Sequence, residues 1–138
     1  MPANHKNKTF DTFLAAVFGS LGAHRFYLHG PKDLWAWLHF ASVPLSLIAI
    51  ATGSGQPMMF LGGLFVFSAL TAIVEALVIG LIPDDKWDAK YNRHSGRKTE
   101  SGWPLALLLV LTMGIGATAL IASIARTFDL LFTGGAYG

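Results

Sequence analysis

Glu75 is the one charged residue in the 25 positions from Met58 to Ile82, and His39 is the one ionisable group in the 19 positions from Leu34 to Thr52. An acid and an imidazole set in apolar sequence can hand a proton to one another. They can equally form a static hydrogen bond in which a desolvated carboxyl stays neutral. A second concentration of chemistry is His24-Arg25-Phe26-Tyr27. The planar fork of Arg25 suits a lipid phosphate, a carboxylate or the free carbonyls at a helix C-terminus, or it simply fixes topology; Phe26 and Tyr27 then anchor the corner at headgroup depth. The third is Trp87, Tyr91, Arg93, Arg97 and Lys98, with the two aromatics four residues apart on one helical face. Such a set lies on anionic lipid or docks a protein partner.

Other chemistries lack their residues. The chain has no cysteine, which excludes disulfides and thiolate sites. His5, His24, His29 and His94 show no paired ligand spacing, so neither a metal nor a cofactor is expected. No nucleophile–base, phosphate-loop or paired-carboxylate signature occurs, and the reading is non-enzymatic. The net charge of +2 comes without a basic-aromatic module, so nucleic acid is not expected as a partner.

The elements that must carry these groups are long apolar segments. Leu34 to Thr52, Met58 to Ile82 and Trp103 to Ala125 span 19, 25 and 23 residues, the last with no charge. A hydrocarbon core about 30 Å thick needs roughly 20 apolar residues as helix, so these read as membrane spans. By helical rise Glu75 lies about 10 Å and His39 about 7–8 Å from the same end of their segments, which makes them plausible partners with Arg25 within reach.

Five of the ten Lys/Arg residues lie between Pro83 and Gly102, and none between Gly53 and Pro57. The basic loop 83–102 and the His24–Asp33 corner are therefore expected on the cytoplasmic side. Tyr27, Trp35, Trp37, Trp87 and Trp103 fall at that interface, as an aromatic belt does. Thr9 to Ala23 is apolar apart from Asp11, with Thr9 as a candidate cap. About 15 residues of helix cover only some 21–23 Å, too short for a perpendicular span. A signal peptide, a short span extended by interfacial residues and a re-entrant or obliquely lying helix all compete here, Asp11 counting against the first. A spanning helix divides Lys/Arg seven inside to three outside, a re-entrant one nine to one.

The expected fold is an all-α membrane bundle of three to four transmembrane helices, its short N-terminal helix a fourth span or re-entrant. It divides into a polar tail 1–8, a helical pair 9–52, and a remainder 53–138 holding spans 58–82 and 103–125. Gly19 and Gly22 allow close helix approach, either within the chain or between copies in a homo-oligomer.

Lys8, the apolar run Phe13 to Phe18, Gly19-Ser20-Leu21-Gly22-Ala23, His24-Arg25-Phe26-Tyr27-Leu28 and the second apolar run from Leu34 together resemble the transmembrane-two (TM-two) domain of bacterial NINE-type membrane proteins. The likeness covers about Lys6 to Ala51, a third of the chain. His29 before Gly30 departs from the pattern, which more often runs straight from Leu to Gly; the departure affects the turn. The resemblance implies a multi-pass protein of the bacterial cytoplasmic (inner) membrane, with the Arg-Phe turn facing the cytoplasm and no defined molecular activity. Two functional expectations follow. One is an interaction or assembly module working through the corner and the basic loop, with anionic lipid headgroups and a protein as partners. The other is a small transporter or channel using Glu75 and His39.

Overall fold

The computed structural model describes residues 4–137, which are helical and connected by turns, with no strand among them. In chain order the helices are α1 (Lys8–Phe18), α2 (Ala23–His29), α3 (Leu34–Thr52), α4 (Met58–Leu61), α5 (Gly63–Leu81), α6 (Asp84–Tyr91) and α7 (Trp103–Thr133). A 3-10 turn, Gly19–Leu21, joins α1 to α2. Three of the helices, α3, α5 and α7, are long and apolar enough to cross a bilayer.

The distribution of side chains is inverted relative to a water-soluble domain. Among the described residues the buried set includes Lys8, Asp11, Thr12, His24, His39, Ser42, Ser46 and Ser68. Large apolar side chains face outward, among them Phe67 at 73%, Leu81 at 71% and Trp103 at 76% exposure. A surrounding hydrocarbon solvates such a surface without penalty, whereas the polar groups gain only by finding partners inside.

Helix α5 is the axis of the molecule: α1, α3 and α7 all pack on it, and α1 also touches α7. Helix α1 runs antiparallel to α5. Its first residue, Lys8, donates from Nζ to the Ile82 carbonyl at 2.7 Å. At its far end Gly19 sits against Ala72, where an added Cβ would come within 2.3 Å of the alanine's own Cβ. The chain then turns back. Gly22 adopts φ +73°, and a Cβ there would lie 2.4 Å from the Ala36 carbonyl oxygen. Only glycine meets both demands cheaply, a left-handed backbone and a helix surface directly against it. Helix α2 returns to the starting level, where the Tyr27 carbonyl accepts from Lys6 Nζ at 2.6 Å and the Tyr27 hydroxyl accepts from the Asn7 amide at 2.9 Å. The hairpin α1–α2 therefore enters and leaves at one end of the bundle, reaching no deeper than Ser68, whose hydroxyl lies 3.4 Å from the Ser20 carbonyl.

Several boundaries differ from the sequence expectation. The segment 58–82 is two helices, because the adjacent glycines Gly62 and Gly63 offer weak helical propensity and Gly62 ends α4. The last helix does not stop at Ala125 but runs 31 residues to Thr133, about 46 Å by helical rise. Arg126 and Asp129 pair one turn apart, and Thr127 and Thr133 bond back to helix carbonyls, so polar residues continue the helix until Gly134 turns left-handed at φ +67°. Asn7, not Thr9, caps α1 by accepting from the Phe10 amide at 3.0 Å. Asp84 does not cap α6; its carboxylate is drawn away to Lys8 and Ser101.

Gly22→Ala must place a Cβ into the Ala36 backbone at an unfavourable φ, and we expect it to lose about 2 kcal/mol or more. Gly114→Ala meets nothing within 4 Å and should be neutral or stabilising by up to about 1 kcal/mol. Thermal melts of the two variants in detergent test the hairpin packing; equal melting temperatures would contradict it.

Candidate functional site

The buried face of α5 carries Ser68, Ala72, Ala76 and Ile79, with Glu75 beside Ala76. The two alanines give α1 room to approach, so the hairpin brings α2 onto the same side of α5. Helix α3 brings His39 from the other side. Four side chains converge there. Glu75 Oε2 meets His24 Nε2 at 2.7 Å and His39 Nε2 at 3.3 Å. Glu75 Oε1 accepts from Arg25 Nε at 2.8 Å and also from Nη2. His24 is 1% exposed, and its ring meets that of His39 edge to face at 5.8 Å. Arg25 lies over the Trp35 ring at 5.9 Å, with Nη1 3.7 Å from Asp33.

An ionised carboxylate only accepts hydrogen bonds, so both histidines present Nε2–H to it. His39 Nδ1 meets the Ser68 hydroxyl at 2.7 Å, and the ring tautomer decides which of the two donates. His24 Nδ1 is left buried without a partner among the described residues. The run Ser68–His39–Glu75 connects hydroxyl, imidazole and carboxylate, as a nucleophile relay does. Ser68 lies within α5, however, where neighbouring backbone N–H groups are spent in the helix and cannot stabilise an oxyanion. What the cluster can do is hold the hairpin on α5 and exchange protons among its own members.

The structure thus brings Glu75 and His39 together with Arg25, and adds His24. The remainder of the corner is structural: Phe26 packs edge-on against Trp37 at 5.3 Å, and Tyr27 against Phe10 at 5.4 Å. Gly19 and Gly22 pack within the chain. The basic-aromatic loop divides. Trp87 is fully buried, not offered to lipid or a partner; its Nε1–H donates to the Lys6 carbonyl at 3.0 Å and its ring lies 4.5 Å from that of Tyr91. The backbone segment 4–7 before α1 fills the space that would have exposed it, with Asn92 accepting from the Lys6 amide at 2.7 Å. Arg93, Arg97 and Lys98 are exposed.

Two sites were not visible from residue types alone. Lys8 is buried and joins Asp84, whose carboxylate also takes the Ser101 amide at 2.7 Å. Burial opposes ionisation of Asp84, but the bonds from Lys8 and Ser101 outweigh it and hold the carboxyl below its ordinary range. Asp11 is 0% exposed, and neither of its oxygens has a partner among the described residues. Burial pushes its carboxyl up to about 7, with Lys6 pulling down and Glu75 pushing further up. The spacing Lys8, Asp11, Thr12, Ala15 and Gly19 traces one helical face and was the available signal.

No family model, curated protein or solved structure matches this chain.

Glu75→Leu strands the Arg25 charge. Such a loss is about 3–5 kcal/mol for a fully buried pair, and less here because both groups keep partial exposure. Glu75→Gln retains an acceptor for Arg25 and should melt between wild type and the Leu variant; equal melting of the two variants in detergent would contradict the clamp. Unfolded Asp11 releases its proton near pH 4 and folded Asp11 near 7, so the folded state holds more protons between them. Its contribution is complete below about pH 4, falls as pH rises to about 7, and is level above. Asp11→Asn should remove that fall. The difference between wild type and Asp11→Asn in melts at pH 5 and pH 7 decides it, because groups common to both chains, Asp84 and the histidines included, cancel in that difference.

Proposed function

We propose that the chain is a non-enzymatic multi-pass protein of the TM-two type in a bacterial cytoplasmic membrane, acting as an interaction or assembly module. In this reading α3, α5 and α7 span the bilayer and α1–α2 is a re-entrant hairpin entering from the cytoplasmic face. The common level of Lys6, Tyr27, Trp87 and Asn92 supports that topology, and it leaves nine of ten Lys/Arg residues on one side. The observation that carries the functional reading is the contrast between core and rim. Both oxygens of Glu75 are engaged by Arg25, His24 and His39, whereas Arg93, Arg97 and Lys98 stand exposed on the loop after α6. The charges free to meet something else are therefore at the membrane surface.

A transport reading has its own support. Ser68, His39 and Glu75 form a continuous hydrogen-bonded run, and a cleft opens at Glu75 between α2, α5 and α6. Purification of a tagged chain from its native membrane, followed by mass spectrometry, separates the two. The module reading expects a stoichiometric protein partner that is lost in Arg93→Ala/Arg97→Ala/Lys98→Ala. Trp87 is left intact because its removal opens the core. Recovery of the chain alone, together with proton flux in proteoliposomes that Glu75→Gln abolishes, would replace that reading with transport.

A further inference from the structure

The cleft between α2, α5 and α6 has a composition that the Glu75 clamp does not explain. It encloses about 390 Å³, within the range of small-ligand sites. Its rim is basic: Arg25 and His29 come from α2 and Lys90 from α6. Its wall is apolar and comes from α5, where Val74 and Val78 are each 59% exposed. Basic groups and a hydrocarbon wall in one depression are complementary to a molecule with an anionic head and an apolar tail.

The rim groups keep donors to spare. Lys90 forms no hydrogen bond or ion pair among the described residues, and its Nζ lies 5.0 Å over the Tyr91 ring. His29 meets Asp33 through Nδ1 at 3.0 Å, which leaves Nε2. Arg25 binds Glu75 through Nε and Nη2, and its Nη1 is 3.7 Å from Asp33, beyond hydrogen-bond length. Glu75, the acid inside the cleft, is already matched by Arg25, His24 and His39, so the Lys90 charge is uncompensated. Lys90 is set in place by α6, which the buried Trp87 pins to the N-terminal segment.

We propose that this cleft binds one anionic phospholipid, its phosphate at Arg25, His29 and Lys90 and one acyl chain along Val74 and Val78. The inference rests on the membrane placement above but on neither the module nor the transport reading. It differs from general attraction of the basic loop to a charged leaflet, because it singles out Lys90 among neighbours of equal charge.

The test uses the full chain in nanodiscs of phosphatidylcholine with increasing phosphatidylglycerol, and native mass spectrometry counts the lipids retained after release from the disc. The expected result is one retained phosphatidylglycerol. Lys90→Ala removes a charged hydrogen-bond donor and should weaken retention at least about tenfold. Val78→Trp, which fills the wall from its exposed side, should weaken it as well. Arg97→Ala, the same charge change on the same loop, should leave retention unchanged. Equal losses in Lys90→Ala and Arg97→Ala would reduce the effect to leaflet attraction and overturn the site. Displacement of the lipid by inorganic phosphate alone would overturn the lipid assignment in favour of a free anion. Failure of the chain to enter the discs would remove the membrane placement itself, an outcome distinct from entry without a retained lipid.

Discussion

A carboxylate set in an apolar helix is the constraint that the rest of this molecule answers. Glu75 sits on a helix whose neighbours are almost all apolar, where an unpaired charge is costly. Three donors reach it, and none lies on the same helix. Arg25 and His24 come from α2 and His39 from α3. The need to match one side chain therefore draws three separate segments to a single point. The α1–α2 hairpin is a short structure that could not span a bilayer alone, and it has a reason to stay inserted beside α5.

The hairpin also needs space, and small residues provide it. Gly19 on Ala72 and Gly22 on Ala36 bring backbone against backbone, which hydrocarbon by itself does nothing to drive. Close contact gives dispersion between helices, and the polar cluster gives direction. Each part supports the other: without the glycines Arg25 could not approach Glu75, and without Glu75 the half-buried guanidinium would keep only Asp33, 3.7 Å away, as a counter-charge. The contrast with Gly114, which faces open space, shows that glycine alone in an apolar helix is no sign of contact.

A second closure ties the chain ends of the hairpin to the loop beyond α5. Lys8 reaches the Ile82 carbonyl and Asp84, while the backbone of Lys6 is held by Asn92 and Trp87. This strap converts the basic loop from a loose connection into a docked cap. It withdraws Trp87 from the surface and presents Lys90, Arg93, Arg97 and Lys98 outward. The cap and the Glu75 cluster share α2 between them, so the cleft that separates them is framed on each side by fixed elements.

The sequence by itself determined the class of this protein. Three long apolar runs, their near absence of charge and the concentration of Lys/Arg between Pro83 and Gly102 follow from composition and length, and the all-helical fold with three candidate spans agrees with them. Glu75 and His39 were legible too, because an ionisable residue within such a run stands out against its neighbours. Tertiary structure decided what composition cannot express. His24 looked like part of a surface corner and is a buried partner of Glu75; Trp87 looked like an interfacial anchor and is core; Asp11 looked like a lone break in an apolar run and is enclosed without a partner among the described residues. In each case the residue's environment is made by a segment far away in the chain. The same reason explains the hairpin: a run of about 15 apolar residues is compatible with crossing or returning, and contacts of Lys6 and Lys8 with residues more than 70 positions away choose the return. Periodicity reports which face of a helix is apolar; only the packed chain decides what that face meets.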